Sequence, residues 1–304
     1  HAPTWVAPAF QSIYEREIGT NWHEMVRDEL AWAKATDKLS DNAIWSSHQV
    51  LKELLIAFIR ERTRAKETGD VDTIHEHEST KGLFSPDVLT IGFARRVAAY
   101  KRWDLIFSDL ERLLKLVDHT ERPVQFVFAG KAHPQDRAAK TILQKLMSIN
   151  HDSNWQRRAV FIEDYDQEVA RYLVHGVDVW MNVPRRPMEA SGTSGMKAAM
   201  NGVLNFSILD GWWIEGYKEI NGYAIEGRNA GTLTATDSEI DAADAESLYS
   251  TLENEIIPTY YSRGEDGLPS EWIARMKNSI ATLTPQFSSD RMVSDYLLKI
   301  YNIL

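Results

Sequence analysis

Val88-Leu-Thr-Ile-Gly92 opens a segment in which short apolar, β-branched runs alternate with helical patterns. Its counterparts are Val124-Gln-Phe-Val-Phe-Ala129, Ala159-Val-Phe-Ile162, Val177-Asp-Val-Trp-Met181 and Val203-Leu-Asn-Phe-Ser-Ile208, with helical spacing over 105–116, 137–149, 168–175 and 195–201. Runs with little polar alternation belong to strands buried on both faces. Strands spaced by helices therefore predict a parallel sheet covered on both sides, the doubly wound α/β class. In that class ligands bind beyond the carboxyl ends of the strands. Residues 93–101 are expected there after the first strand, Gly130-Lys-Ala-His133 after the second, Glu163-Asp-Tyr165 after the third and 182–193 after the fourth.

Upstream, residues 40–66 carry Leu51, Leu54, Leu55, Phe58 and Ile59 at helical spacing and a basic end before Gly69, which predicts one long amphipathic helix. Residues 68–82 are acidic and aperiodic and read as an exposed connector. His75-Glu-His77 within it is assigned to solvent, because a metal needs further ligands that nothing nearby supplies. From about Asp237 the chain reads as three helices separated by Gly264, Gly267, Pro269 and Pro285, the last carrying Val293, Tyr296, Leu297 and Ile300. The expected division is helices and connector over 1–82, a sheet lobe over 83–236, and helices packing on that lobe over 237–304.

A chain of 304 residues with 43% hydrophobic content can bury a large core. No apolar run reaches the roughly 20 residues of a membrane span, so no membrane partner is expected. The absence of cysteine excludes disulfides, cysteine-ligated zinc and thiol catalysis, and fits the reducing cytoplasm expected as its location. A net charge of −10 argues against nucleic acid as the main partner. No Gly-x-Gly-x-x-Gly follows a strand and no Walker lysine is present, so a dinucleotide or nucleoside triphosphate has no motif, and no metal site is predicted. His1-Ala-Pro-Thr-Trp5 reads as mid-protein sequence, and the chain is expected to be a piece of something longer.

Two stretches carry the chemistry. Glu189-Ala-Ser-Gly-Thr-Ser-Gly-Met-Lys-Ala-Ala-Met-Asn-Gly202 sets Lys197 one turn inside a helix that starts from a Gly/Ser/Thr loop. Unpaired N–H groups at a helix start favour an anion near 191–195, and a lysine beside it suits pyridoxal phosphate, which needs an amine and a phosphate cradle. A solvated lysine after a common turn is the alternative. Ala94-Arg-Arg-Val-Ala-Ala-Tyr-Lys-Arg102 gathers four cations, whose bland reading is a basic helix start and whose functional reading is a phosphate site. Glu189 could accept sugar hydroxyls or be an exposed loop acid, and Tyr165 could simply pack. Trp212, Trp213 and Tyr217 follow Asp210-Gly211 and could stack on sugar rings or form a hydrophobic lid.

Taken together, Phe93-Ala-Arg-Arg-Val-Ala-Ala-Tyr-Lys-Arg102, Phe128-Ala-Gly-Lys-Ala-His-Pro134, Glu163-Asp-Tyr165, Glu189-Ala-Ser-Gly-Thr-Ser-Gly-Met-Lys197, Asn201-Gly-Val-Leu-Asn205 and Leu209-Asp-Gly-Trp-Trp213 resemble the α-glucan (glycogen, starch, maltodextrin) phosphorylases. The shorter bacterial and archaeal branch is the better match, in the family's order from the N-terminus to about Gly231. The resemblance implies the C-terminal, Rossmann-like lobe of a glycosyltransferase-B fold with flanking helices, and an N-terminal lobe as a missing partner. It implies pyridoxal phosphate carried as an imine on Lys197, whose 5′-phosphate exchanges a proton with substrate phosphate while the terminal α-1,4 bond of a glucan or maltodextrin is cleaved with retention.

Position by position, it puts Arg96 and Lys101 on inorganic phosphate with Tyr100 close by, and Arg95, Thr193 and the N–H groups around Ser194 on the cofactor phosphate. Tyr165 would lie near the cofactor ring, and Glu189, Ser191 and Gly192 would hold glucosyl hydroxyls. Two phosphates held close together repel, so they must share a proton and be flanked by cations. The sequence departs from the longer enzymes at Ala98, where they have histidine, at Asp166, where they have a basic residue, and at Ser194-Gly195, where they have Gly-Asn. Because the glucose-contacting histidine and most of the acceptor groove belong to the other lobe, this chain alone is expected to bind pyridoxal phosphate weakly or not at all and to lack phosphorolysis. A homodimer is a candidate assembly. The competing readings are a sugar-nucleotide-dependent glycogen or starch synthase on the same architecture and a non-catalytic glucan-binding module.

Overall fold

A computed structural model describes residues 1–68, 84–149, 152, 155, 158–227 and 235–302. The predicted connector over 68–82, with His75 and His77, falls almost wholly outside the described residues.

The N-terminal layer is helical: α1 (Ala2–Trp5), α2 (Pro8–Glu17), α3 (Trp22–Met25), α4 (Glu29–Asp37) and α5 (Asp41–Thr68). The sheet region follows as β1 (Leu89–Val97), α6 (Leu110–Val117), β2 (Val124–Ala132), α7 (Arg137–Ser148), β3 (Ala159–Ile162), α8 (Gln167–Gly176), β4 (Val179–Asn182), α9 (Thr193–Ala199), β5 (Leu204–Ile208), α10 (Trp213–Gly216) and β6 (Gly222–Ile225). The C-terminal helices are α11 (Asp237–Thr251), joined through a π turn to α12 (Ile257–Tyr261), then α13 (Ser270–Gln286) and α14 (Ser289–Lys299).

All six strands are parallel, in the order β3-β2-β1-β4-β5-β6. The chain turns from one half of the sheet to the other between β1 and β4, and that reversal opens a crevice at their carboxyl ends. Both faces are covered. Phe126 and Phe128 join the core beneath α6, α7 and the C-terminal helices, while Val127 and Ala129 join the one beneath α5 and α8. This is the period-2 alternation of a strand with no wet face, which is why each run looks uniformly apolar in sequence.

Four expectations are corrected. Pairing of Arg95 with Gly130 and of Arg96 with Lys131 extends β1 and β2 through residues expected in the following loops. Ala94 to Val97 is therefore strand, not a helix start. A sixth strand, Gly222-Tyr-Ala-Ile225, lies at the sheet edge. Pro285 sits inside the last turn of α13, and the break comes after it at Phe287 and Ser288. On α5, Leu54 is exposed and Lys52 is fully buried.

Lys52 belongs to a buried polar knot at the amino ends of the strands. Its Nζ donates to Asp178 Oδ2 (2.6 Å), Val88 O (2.7 Å) and Tyr260 Oη (2.7 Å). Asp178 also pairs with His48 Nε2 (2.8 Å) and accepts from the Thr90 N–H (2.7 Å). Burial works against the Asp178 charge, but Lys52 and His48 outweigh it and hold the carboxyl below its ordinary value. The knot joins α5, the starts of β1 and β4, and α12. By contrast, α14, whose apolar positions the sequence groups with the packing helices, buries no residue.

Candidate functional site

The crevice between β1 and β4 receives its side chains by strand alternation. Arg95 points into the protein and is 7% exposed, while its neighbour Arg96 points out and is exposed. After β1 a short 3-10 turn buries Lys101 with its Nζ 4.6 Å from the centroid of the Tyr100 ring. Arg102 then takes a left-handed conformation (φ 47°) and donates to the carbonyls of Val183 (2.9 Å) and Pro184 (3.0 Å) beyond β4. The Arg185 N–H returns a bond to Tyr100 O (2.7 Å). Asp244 on α11 pairs with Arg102 (2.8 Å) and Arg186 (3.3 Å), and Asp241 with Arg102 (2.8 Å) and Arg185 (2.7 Å). The two loops flanking the crevice are thus fastened to each other and to the same helix.

That fastening carries Glu189 to the cations. Its Oε2 accepts from Arg95 Nη2 at 2.6 Å and from Lys101 Nζ. Burial alone would raise the Glu189 carboxyl, but the two cations overcome it and hold it below the usual carboxylate value. Burial pushes the Arg95 guanidinium down, against the pull of Glu189. Arg95 Nη1 is buried and has no hydrogen-bond partner among the described residues. Tyr165 is close enough for Arg95 to draw its phenol down, although burial pushes it up more strongly.

The Gly/Ser/Thr loop is held by the next strand's loop. Asp210 Oδ2 accepts the Glu189 N–H (2.8 Å), and Ser191 O accepts the Trp212 N–H (2.9 Å). Gly192 turns at φ 92°, a conformation suited to glycine, and α9 begins. A Cβ on Gly195 would lie 2.5 Å from Asn205 Oδ1 and 2.8 Å from Trp212 Cζ2, which accounts for glycine there. Ser194 Oγ accepts from Trp180 Nε1 (3.2 Å), Thr193 is exposed, and α9 has only seven residues. Its dipole is correspondingly short, so charge at this crevice is supplied chiefly by Arg95 and Lys101. Asp166 accepts the Val169 N–H as the cap of α8, a local role for an acid at that position.

Lys197 has its Nζ 4.0 Å from the centroid of the Trp5 ring, and desolvation lowers its pKa. The Trp5 carbonyl is held by Asn201 Nδ2 (2.9 Å) and His175 Nε2 (3.0 Å). Sequence reasoning missed Trp5, and no local signal links it to a lysine so far along the chain.

The structure thus brings Arg95, Lys101, Tyr100, Tyr165 and Glu189 together and sets Ser191, Gly192, Ser194 and Lys197 on the adjoining loop and helix. Trp212 and Trp213 are not a stacking surface: both are buried and pack with Leu283, and Trp212 meets Phe287 edge to face at 4.9 Å. Among the described residues, no group of three or more His, Asp or Glu side chains could hold a metal ion, and no helix is long and apolar enough to cross a membrane.

The sequence profile of the carbohydrate phosphorylase family matches residues 6–247. A glycogen phosphorylase of Aquifex aeolicus is 47% identical over 306 residues, covering 99% of this chain and 43% of its own length. A maltodextrin phosphorylase of Thermococcus litoralis is 41% identical over 99% of this chain and 35% of its own length, and a glycogen phosphorylase of Mycobacterium tuberculosis 37% identical over 99% and 34%. The chain spans less than half the length of these relatives.

Proposed function

The chain belongs to the carbohydrate phosphorylase family, and from that premise we propose that it is the cofactor-bearing lobe of an α-1,4-glucan phosphorylase acting on a cytoplasmic glucan. The reaction replaces the glucan O4 at the terminal anomeric carbon by an oxygen of inorganic phosphate, with retention, and a proton from phosphate goes to the departing O4. The observation that carries this reading is the buried Arg95–Lys101 pair at the β1/β4 crevice, with Arg95 Nη1 lacking a partner among the described residues, beside the loop and helix of Lys197.

Pyridoxal phosphate fits the residues present. Lys197 offers an amine whose lowered pKa raises the neutral fraction that captures a carbonyl. Arg95 has donor capacity to spare, and the turn that carries Thr193 and Ser194 packs its glycines, Gly192 and Gly195, against Trp212 with no room for a side chain at Gly195. When bound, the cofactor supplies through its 5′-phosphate an acid–base group next to the substrate phosphate.

The chain's own residues do the rest. Arg95 and Lys101 offset the charge of two neighbouring phosphates, which in a partly desolvated crevice would otherwise repel strongly. Arg96, exposed at the mouth, adds a third cation for the incoming phosphate. Glu189, Ser191 and the Gly192 backbone orient glucosyl hydroxyls, while Tyr100, Tyr165 and Trp5 limit water around the charges. The remaining glucan contacts come from the portion of the relatives' length that this chain does not span.

The test is chemical. After incubation with pyridoxal phosphate and reduction with borohydride, the adduct mass is expected on the peptide containing Lys197 and is lost in Lys197→Ala. Equal labelling of surface lysines in both proteins would overturn the assignment.

A further inference from the structure

Two buried cations share one carboxylate oxygen in this crevice. Arg95, Lys101 and Glu189 have side chains 6%, 7% and 11% exposed, so the pocket keeps an excess of positive charge. A guanidinium offers five donors and an ammonium three, far more than one oxygen accepts. Arg95 Nη1 is the visible remainder. Meanwhile the Glu189 backbone is pinned by Asp210, so its carboxylate is a tethered ligand presented to the cations at high effective concentration. Staggered side-chain torsions let it swing away without moving that backbone.

From this geometry we propose that Glu189 is a displaceable counter-ion: an oxyanion engaging Arg95 and Lys101 expels its carboxylate, and the expulsion frees that carboxylate for sugar hydroxyls. This rests on the reading of Lys101 as a ligand of substrate phosphate and of Arg95 as a cation shared between that phosphate and the cofactor phosphate. A carboxylate and a doubly charged tetrahedral anion cannot both sit on the same two cations without strong repulsion. Anion and sugar therefore bind with positive coupling, because the anion releases the group that the sugar needs. The coupling is reciprocal, so a sugar that captures Glu189 tightens the anion. Glu189 thereby links the two sites whichever ligand binds first, which neither cation alone does.

The experiment uses sulfate, whose charge is constant across the neutral range, titrated calorimetrically into the 304-residue chain at fixed ionic strength. Glu189→Gln keeps the side chain's size and removes its charge, and Glu189→Ala removes both. Sulfate is expected to bind each variant at least tenfold more tightly than the parent, about 1.4 kcal/mol, and adding Arg95→Gln should cancel the gain. Equal sulfate affinity in parent and variants overturns displacement while leaving the anion pocket standing. No sulfate binding to any of them overturns the pocket as well. Near-UV circular dichroism confirms that each variant is folded, and Glu189→Ala decides the matter if the Gln variant is not.

Discussion

Replacing Lys52 by methionine tests whether the knot at the amino ends of the strands holds the sheet to its flanking helices. Methionine fills a similar volume but removes three hydrogen bonds, to Asp178, Val88 and Tyr260. Lys52 and Asp178 are both 0% exposed, so the variant strands a carboxylate in the interior with His48 and the Thr90 N–H left to meet it. Removing one partner of a buried pair costs about 3–5 kcal/mol, because the remaining charge keeps its desolvation penalty. At about 2–4 °C per kcal/mol for a chain of this order of size, that is a fall in Tm of about 6–20 °C. Urea unfolding monitored by tryptophan fluorescence reads it directly. Adding Asp178→Asn to Lys52→Met removes the stranded charge, and the double variant is expected to be more stable than Lys52→Met alone. A loss below about 1 kcal/mol, or costs that simply add in the double variant, would refute the reasoning.

Two further outcomes follow from the Lys197 surroundings. Burial pushes His175 down to about 4 from an ordinary 6.5, so the unfolded chain takes up a proton before the folded one does. The stability contributed by neutral His175 is complete above pH 6.5 and is lost as pH falls toward 4, at no more than about 1.4 kcal/mol per pH unit. Thermal unfolding between these values is expected to be less pH-dependent in His175→Gln, and an unchanged slope would contradict it. Gly195→Ala forces a Cβ against Asn205 and Trp212. It is expected to cost about 1–3 kcal/mol in urea and to reduce cofactor capture by Lys197, whereas parent-like values in both assays would count against the close fit.

The sheet was legible because strands buried on both faces leave continuous apolar runs, and β1 to β5 all announce themselves that way. Their ends were not. Arg95 and Lys131 belong to strands only because β1 and β2 continue to pair beyond their apolar stretch, and hydrophobicity does not register pairing. The edge strand β6 begins with glycine and carries a single β-branched residue, Ile225, so it lacks the β-branched apolar run that marks the others. Lys52 falls on the inner face of an amphipathic helix, where a charge is unexpected until Asp178 is known to lie opposite. At the crevice, the residue types could be read from motifs and family resemblance, but the pairing of Glu189 with Arg95 and Lys101 joins residues almost a hundred apart. The contact of Trp5 with Lys197 joins the chain's first helix to its ninth. Trp212 and Trp213 show the opposite error, in which conspicuous aromatics beside a site turn out to be its foundation.

Diffraction from crystals grown with pyridoxal phosphate and sulfate shows whether the β1/β4 crevice seats phosphate next to an amine-bound cofactor. Continuous density is expected from Lys197 Nζ into the cofactor ring, with an anion hydrogen-bonded to Arg95 and Lys101 and Glu189 turned away. Lys197 still resting on Trp5, with both anions bound elsewhere on the surface, would contradict it.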